Sequence, residues 1–253
     1  MNVAPTLDHR YLKYAERTAD AFAQFPQLEP LRYYVFRDLL IQRRSYGVRR
    51  TVKHWVRPLL RRRRTASPLT KCDILIWIEG ERSIISDTVL PVARELMRKK
   101  ARVQLLSFNG PSDLPDSAVA FQCPAASRAP AWAESGWSAL RRAEPGLNQS
   151  NLERSFAYES ANTDSLLLEL TRLLSGMQPQ VVVTASTQLM GGAALVTAGR
   201  ALGFKTVLLQ HGLLQPLYVP ILADTMCTWG PSSSDTLTRL GIDSRKLVAL
   251  GSP

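Results

Sequence analysis

The stretch from Gln180 to Gly212 constrains the fold more than any other part of the chain. It reads QVVVTAS, then a helix-length run through MGGAALVTAGRALG, then KTVLLQHG. A strand, a helix and a second strand joined this way form a right-handed βαβ unit, in which the two strands run parallel. The same order occurs earlier. CDILIWIEG is a β-rich apolar run, SDTVLPVARELMRKK a helix with a Ser/Asp N-cap and cations in its last turn, and ARVQLLSF a second strand. Towards the end, Met226 to Gly230 reads as a strand, Ser232 to Leu240 as a helix stopped by Gly241, and Lys246 to Leu250 as a last strand. The expected fold is therefore α/β, a Rossmann-like parallel sheet occupying residues 71–253.

The flanking segments read less clearly. Before the sheet, apolar residues recur at helical spacing (Leu12, Ala15, Ala19, Phe22, then Tyr34, Phe36, Leu39, Leu40), interrupted by Pro26 and Pro30. This predicts two helices, the second tailing into a basic stretch, so that residues 1–64 form a helical basic arm. Between Asn109 and Ser150 the chain is rich in Pro, Ala and Ser. One short strand is expected there, over Ala118 to Cys123, beside a Trp132/Trp137 pair. A helix from about Leu152 to Leu174 ends at Gly176.

The formal net charge of +11 is local. Residues 31–64 hold twelve Lys or Arg against Asp38 alone, while the first thirty residues sum to −1 and residues 65–253 to +1. Within that segment VKHWVRPLLRRRR interleaves apolar residues with cations, which on a helix gives an apolar edge flanked by Arg. No apolar run is long enough to span a bilayer and the first twenty residues lack a secretory signal, so a cytoplasmic location is expected. Cys72, Cys123 and Cys227 are far apart and make no CxxC pair; they read as reduced core residues. His9 and His54 have no ligand partners at metal spacing and read as structural or surface residues. No metal or cofactor is expected.

Ligands of open parallel sheets sit at the carboxyl ends of the strands, which directs attention to the residues just after each one. His211 lies there, followed by Gly212 and preceded by Gln210. Its imidazole suits a general base, or a hydrogen bond to a phosphate or sugar oxygen. Glu79 and Glu81 flank Gly80 after the first strand, where a carboxylate can act as base or hold a sugar hydroxyl. Ser186, Thr187 and Gln188 precede a helix with Gly191 and Gly192 in its first turn, so free amides and hydroxyls there could cradle an anion or simply cap the helix. Gly230 and Ser252 complete the set.

VLLQHGLLQP, Ala223-Asp224, Trp229-Gly230, Leu240-Gly241-Ile242 and LVALGSP together resemble the N-terminal half of GT-B glycosyltransferases of bacterial surface and capsular polysaccharide synthesis. CDP-glycerol glycerophosphotransferases are among the relatives, and UDP-GlcNAc 2-epimerases are more distant ones. The resemblance implies two Rossmann-like domains facing across a cleft, an acceptor-side half corresponding to this chain, and a donor half beyond the GSP-like segment. The chain is thus expected to be incomplete by itself, with a second domain or chain completing the cleft. It implies metal-independent transfer from a nucleotide-sugar donor to a sugar or lipid-linked acceptor. His211 and Glu79 are the catalytic candidates; Gln210, Gly212, Ser186, Thr187, Gly230 and Ser252 are the substrate-binding ones.

Such acceptors fit a basic arm lying on an anionic membrane surface, at the inner face of the cell membrane, through Arg49, Arg50, Lys53, Trp55, Arg57, Arg61, Arg62, Arg63 and Arg64. Nucleic acid is the rival partner, and Trp55 with the aliphatics favours lipid. Two other functions stay open: a non-catalytic module binding membrane or nucleic acid through the arm, and a nucleotide-sugar 2-epimerase using Glu79 and Glu81.

Overall fold

The computed structural model describes residues 6–43, 71–79, 83–108, 114–115, 118–121, 123, 126 and 128–251. The basic run from Arg44 to Arg64, and with it every membrane-binding candidate, lies outside the described residues, as do Glu81 and Ser252.

Seven strands form one parallel sheet: β1 (Ile74–Glu79), β2 (Val103–Phe108), β3 (Ala118–Ala120), β4 (Val181–Thr184), β5 (Lys205–Leu209), β6 (Thr225–Thr228) and β7 (Leu247–Ala249). Their order is β3-β2-β1-β4-β5-β6-β7. This is the Rossmann-like arrangement, in which the chain winds outward from β1, returns, and winds the other way from β4. The direction reverses between β1 and β4, and sheets of this kind bind ligands at the carboxyl ends of the strands there.

The helices are α1 (Leu7–Gln24), α2 (Arg32–Tyr34, continuing through the wider π-helical turns of Val35–Ile41), α3 (Ser83–Arg98), α4 (Ala131–Ala143), α5 (Ser150–Met177), α6 (Met190–Ala201) and α7 (Pro231–Arg239). Because side chains alternate along β1, Leu75 and Trp77 pack against α5 and α6, whereas Ile76 and Ile78 pack with Val89 and Ala93 of α3. The close approach of α6 depends on Gly199, where a Cβ would stand 2.9 Å from a Val182 methyl.

Several boundaries differ from expectation, each for a local reason. The helix before β2 begins at Ser83, so Ser86 and Asp87 lie inside its first turns instead of capping it. α4 was not foreseen. Its buried face is Ala133, Gly136, Trp137, Ala139 and Leu140, and its small residues give a weak apolar signal. On α1 the buried stripe is Tyr11, Tyr14, Ala15, Thr18, Ala21 and Phe22, with Ala19 exposed. The stripe is carried by tyrosines and a threonine whose polar tips are satisfied inside: Tyr14 Oη donates to the Arg32 carbonyl and Thr18 Oγ1 to the Tyr14 carbonyl. Pro26 and Pro30 do end the helical ladder, giving a 3-10 turn over Pro26–Leu31.

α1 and α2 share one core with α4 and the start of α5, in which Phe22, Phe36, Trp137 and Phe156 are each at most 2% exposed. Trp137 stacks on Phe156 at 4.8 Å. Arg32, 7% exposed, lies over the Phe22 ring and makes two 2.9 Å hydrogen bonds to Glu29, which supply the pairing a buried guanidinium requires. Among the described residues no helix is long and apolar enough to cross a membrane.

Candidate functional site

Trp77, Thr184, Leu208 and Met226 stand opposite one another across four strands, on the face covered by α6. Two residues further along come Glu79, Ser186, Gln210 and Thr228, a polar row on the same face at the carboxyl edge. Ser186, Gln210 and Thr228 are 4%, 3% and 1% exposed. Each is committed to the protein's own backbone.

Glu79 ends β1 at the point where the winding reverses. Its Oε1 accepts from the Gly191 amide at 3.0 Å and its Oε2 from the Gly192 amide at 2.7 Å, while the Trp77 indole N–H reaches Oε2 at 3.2 Å. Both amides belong to the first turn of α6, where the helix dipole favours a negative charge. Burial raises the Glu79 pKa above the ordinary carboxylate value, opposed by those three donors. A Cβ on Gly191 would lie 2.6 Å from Oε2, and one on Gly192 would collide with the Ser186 carbonyl. The anion cradle expected from free amides is thus already filled from within. Ser186 serves the same turn: its Oγ accepts from the Gln188 amide at 3.3 Å, and its backbone is tied to Thr184 Oγ1. Thr187 is partly exposed beside it.

Gln210 is a bracket between strand ends. Its Oε1 accepts from the Trp229 amide at 2.9 Å, its Nε2 donates to the Gly212 carbonyl at 2.9 Å, and its own carbonyl takes the Trp229 indole N–H at 2.9 Å. Its side chain therefore shapes the site from beneath. Thr228 Oγ1 pairs with Ser234 Oγ at 2.8 Å and so ties β6 to α7, with Gly230 as the N-cap residue and Pro231 following.

His211 points differently. Partly exposed, it holds Nδ1 3.1 Å from Tyr218 Oη, and its ring hydrogen-bonds the Ala185 carbonyl at the end of β4. Burial holds its pKa below the usual histidine value, so the ring is neutral at pH 7. Tyr218, 4% exposed, has its own pKa pushed up to about 12 by burial and keeps its proton. The Ala185 carbonyl can only accept, so the ring nitrogen facing it carries the proton: where that is Nδ1, shared with Tyr218, the Nε2 lone pair is a base, and where it is Nε2, Nδ1 accepts from Tyr218 Oη. In front of it, Gly212 has open space where a Cβ would be, and Leu213 is 83% exposed.

Tyr218 escaped the sequence reading because nothing in GLLQPLYVP pairs it with a histidine seven residues earlier. It is placed from the far end of the chain: Tyr11 Oη of α1 donates to the Val219 carbonyl at 2.8 Å. Of the expected residues, the fold brings His211, Gly212, Thr187 and Gly230 to the open carboxyl edge, and turns Gln210, Ser186 and the Glu79 carboxylate to internal bonds.

No protein-family model matches the chain, and no curated protein matches it. Among solved structures it is similar to the UDP-GlcNAc 2-epimerase from Methanocaldococcus jannaschii, with 15% identity and a TM-score of 0.44 over 71% of this chain and 45% of that one. It is similar also to the apo form of the lipopolysaccharide outer core galactosyltransferase WaaB, with 11% identity and a TM-score of 0.44 over 71% of this chain and 46% of that one. The chain spans less than half the length of either.

Proposed function

We propose that the chain is the acceptor-side half of a GT-B-type glycosyltransferase or sugar-phosphate transferase, carrying a group from a nucleotide-activated donor to a hydroxyl acceptor in surface-polysaccharide synthesis. The observation that carries this reading is His211: a neutral imidazole at the carboxyl end of β5, braced on Nδ1 by a protonated tyrosine, with open space before the following glycine. In the step it would perform, the ring carries its proton on Nδ1 and Nε2 takes the acceptor hydroxyl proton as that oxygen attacks carbon or phosphorus of the donor. The nucleotide leaves with the bonding pair. Thr187 and the backbone of Gly212 and Gly230 line the same edge and would hold acceptor hydroxyls. Glu79 is left out of the chemistry, because both its oxygens already accept hydrogen bonds.

The test uses the protein as its own cell produces it, with nucleotide sugars and CDP-glycerol as donors and lipid-linked sugars as acceptors, nucleotide release being measured. His211→Ala is expected to lower the rate by about 100-fold or more while leaving the fold intact by circular dichroism. An undiminished rate would remove His211 from the reaction. Absence of release from every donor would favour a non-catalytic binding module.

A further inference from the structure

In doubly wound sheets the helix N-terminus facing the reversal of winding offers its free amides to a ligand's phosphates. Here that position is the first turn of α6, which follows β4 at the point where the winding reverses between β1 and β4. Its Gly191 and Gly192 amides both end on Glu79, one on each carboxylate oxygen, and the Trp77 indole closes the third side. Gly191 is required by this contact, since a Cβ there would stand 2.6 Å from Glu79 Oε2 and 2.8 Å from Trp77, and Gly192 is required beside it by the Ser186 carbonyl. Among the described residues no Lys or Arg forms an ion pair with Glu79, and its described hydrogen-bond donors are helix amides and one indole.

We infer that Glu79 is a built-in occupant that determines which ligand chemistry the sheet edge accepts: it closes the α6 terminus to phosphate, so a ligand is held at the β1/β4 strand ends by hydroxyl groups and not by phosphoryl oxygens. A phosphate arriving there would have to displace a carboxyl group whose two oxygens already hold both amides. The inference goes beyond the transfer reading and rests on the sheet geometry alone.

Removing the carboxylate should leave a site shaped for a free one. Glu79→Ala is expected to lower the melting temperature, and millimolar formate or inorganic phosphate to restore about 5 °C relative to chloride at equal ionic strength. The wild type is expected to show no such difference, which separates this site from anion binding by the basic segment. Equal responses of wild type and variant to formate and phosphate would overturn the inference. Should Glu79→Ala not fold, Glu79→Gln preserves the volume, and its Gly191 and Gly192 amide proton resonances are expected to move upfield as the charged acceptor is lost. Unmoved resonances would equally overturn it. Transfer activity is not read in either experiment, so failure here leaves the proposed reaction standing.

Discussion

Gly192 and Gly212 follow two neighbouring strands, and neither has a positive φ, yet their surroundings are opposite. A methyl on Gly192 meets the Ser186 backbone, which cannot yield without lifting α6 from β4; a methyl on Gly212 meets nothing within 4 Å. Gly192→Ala is therefore expected to cost about 3 kcal/mol in urea denaturation, and Gly212→Ala to change stability by less than about 0.5 kcal/mol. If the rate of nucleotide release falls with Gly212→Ala all the same, the open space is where the acceptor lies. His211 gives a prediction in pH. Its folded pKa is depressed, so its contribution to stability is complete above the unfolded value and is lost as pH falls through the folded one. Activity that needs the neutral ring should show the same acid limb, with a midpoint below the ordinary histidine value, in the pH profile of kcat/KM.

At the scale of elements, the loop between β5 and β6 depends on α1, since Tyr11 and Tyr218 are both nearly inaccessible and both bond across it. Tyr11→Phe leaves the Val219 carbonyl without its partner and should cost about 1–3 kcal/mol, with faster hydrogen exchange at Tyr218 and Val219 but not in β1. This dependence was not visible in the sequence, because the residues are 208 positions apart. The strands were visible: VVVT, KTVLL and ILIWIE are short apolar β-rich runs, and each lies within a residue or two of its expected place. α4 was hidden, because Gly136 and two alanines occupy its face among Pro- and Ser-rich neighbours. The Glu79 contact was hidden likewise, since a carboxylate before a glycine reads the same whether it faces solvent or caps a helix 112 residues later.

The whole molecule carries its excess charge between two points of one body. Residues up to Ile41 belong to the core shared with α4 and α5, and Cys72 to the core under β1. Binding to anionic vesicles through the intervening cations is expected to weaken with salt, and replacing Arg61, Arg62, Arg63 and Arg64 by Gln to cost roughly 4 kcal/mol at low ionic strength, measured by co-sedimentation. Equal binding to neutral vesicles would rule out the electrostatic reading. Because Tyr11 and its neighbours hold α1 and α2 against the rest of the protein, the described residues on both sides of the basic stretch belong to the body that carries the sheet. Anything bound by that stretch would thus be tied to the sheet twice along the chain, and cutting the chain on one side of it would leave a single tie.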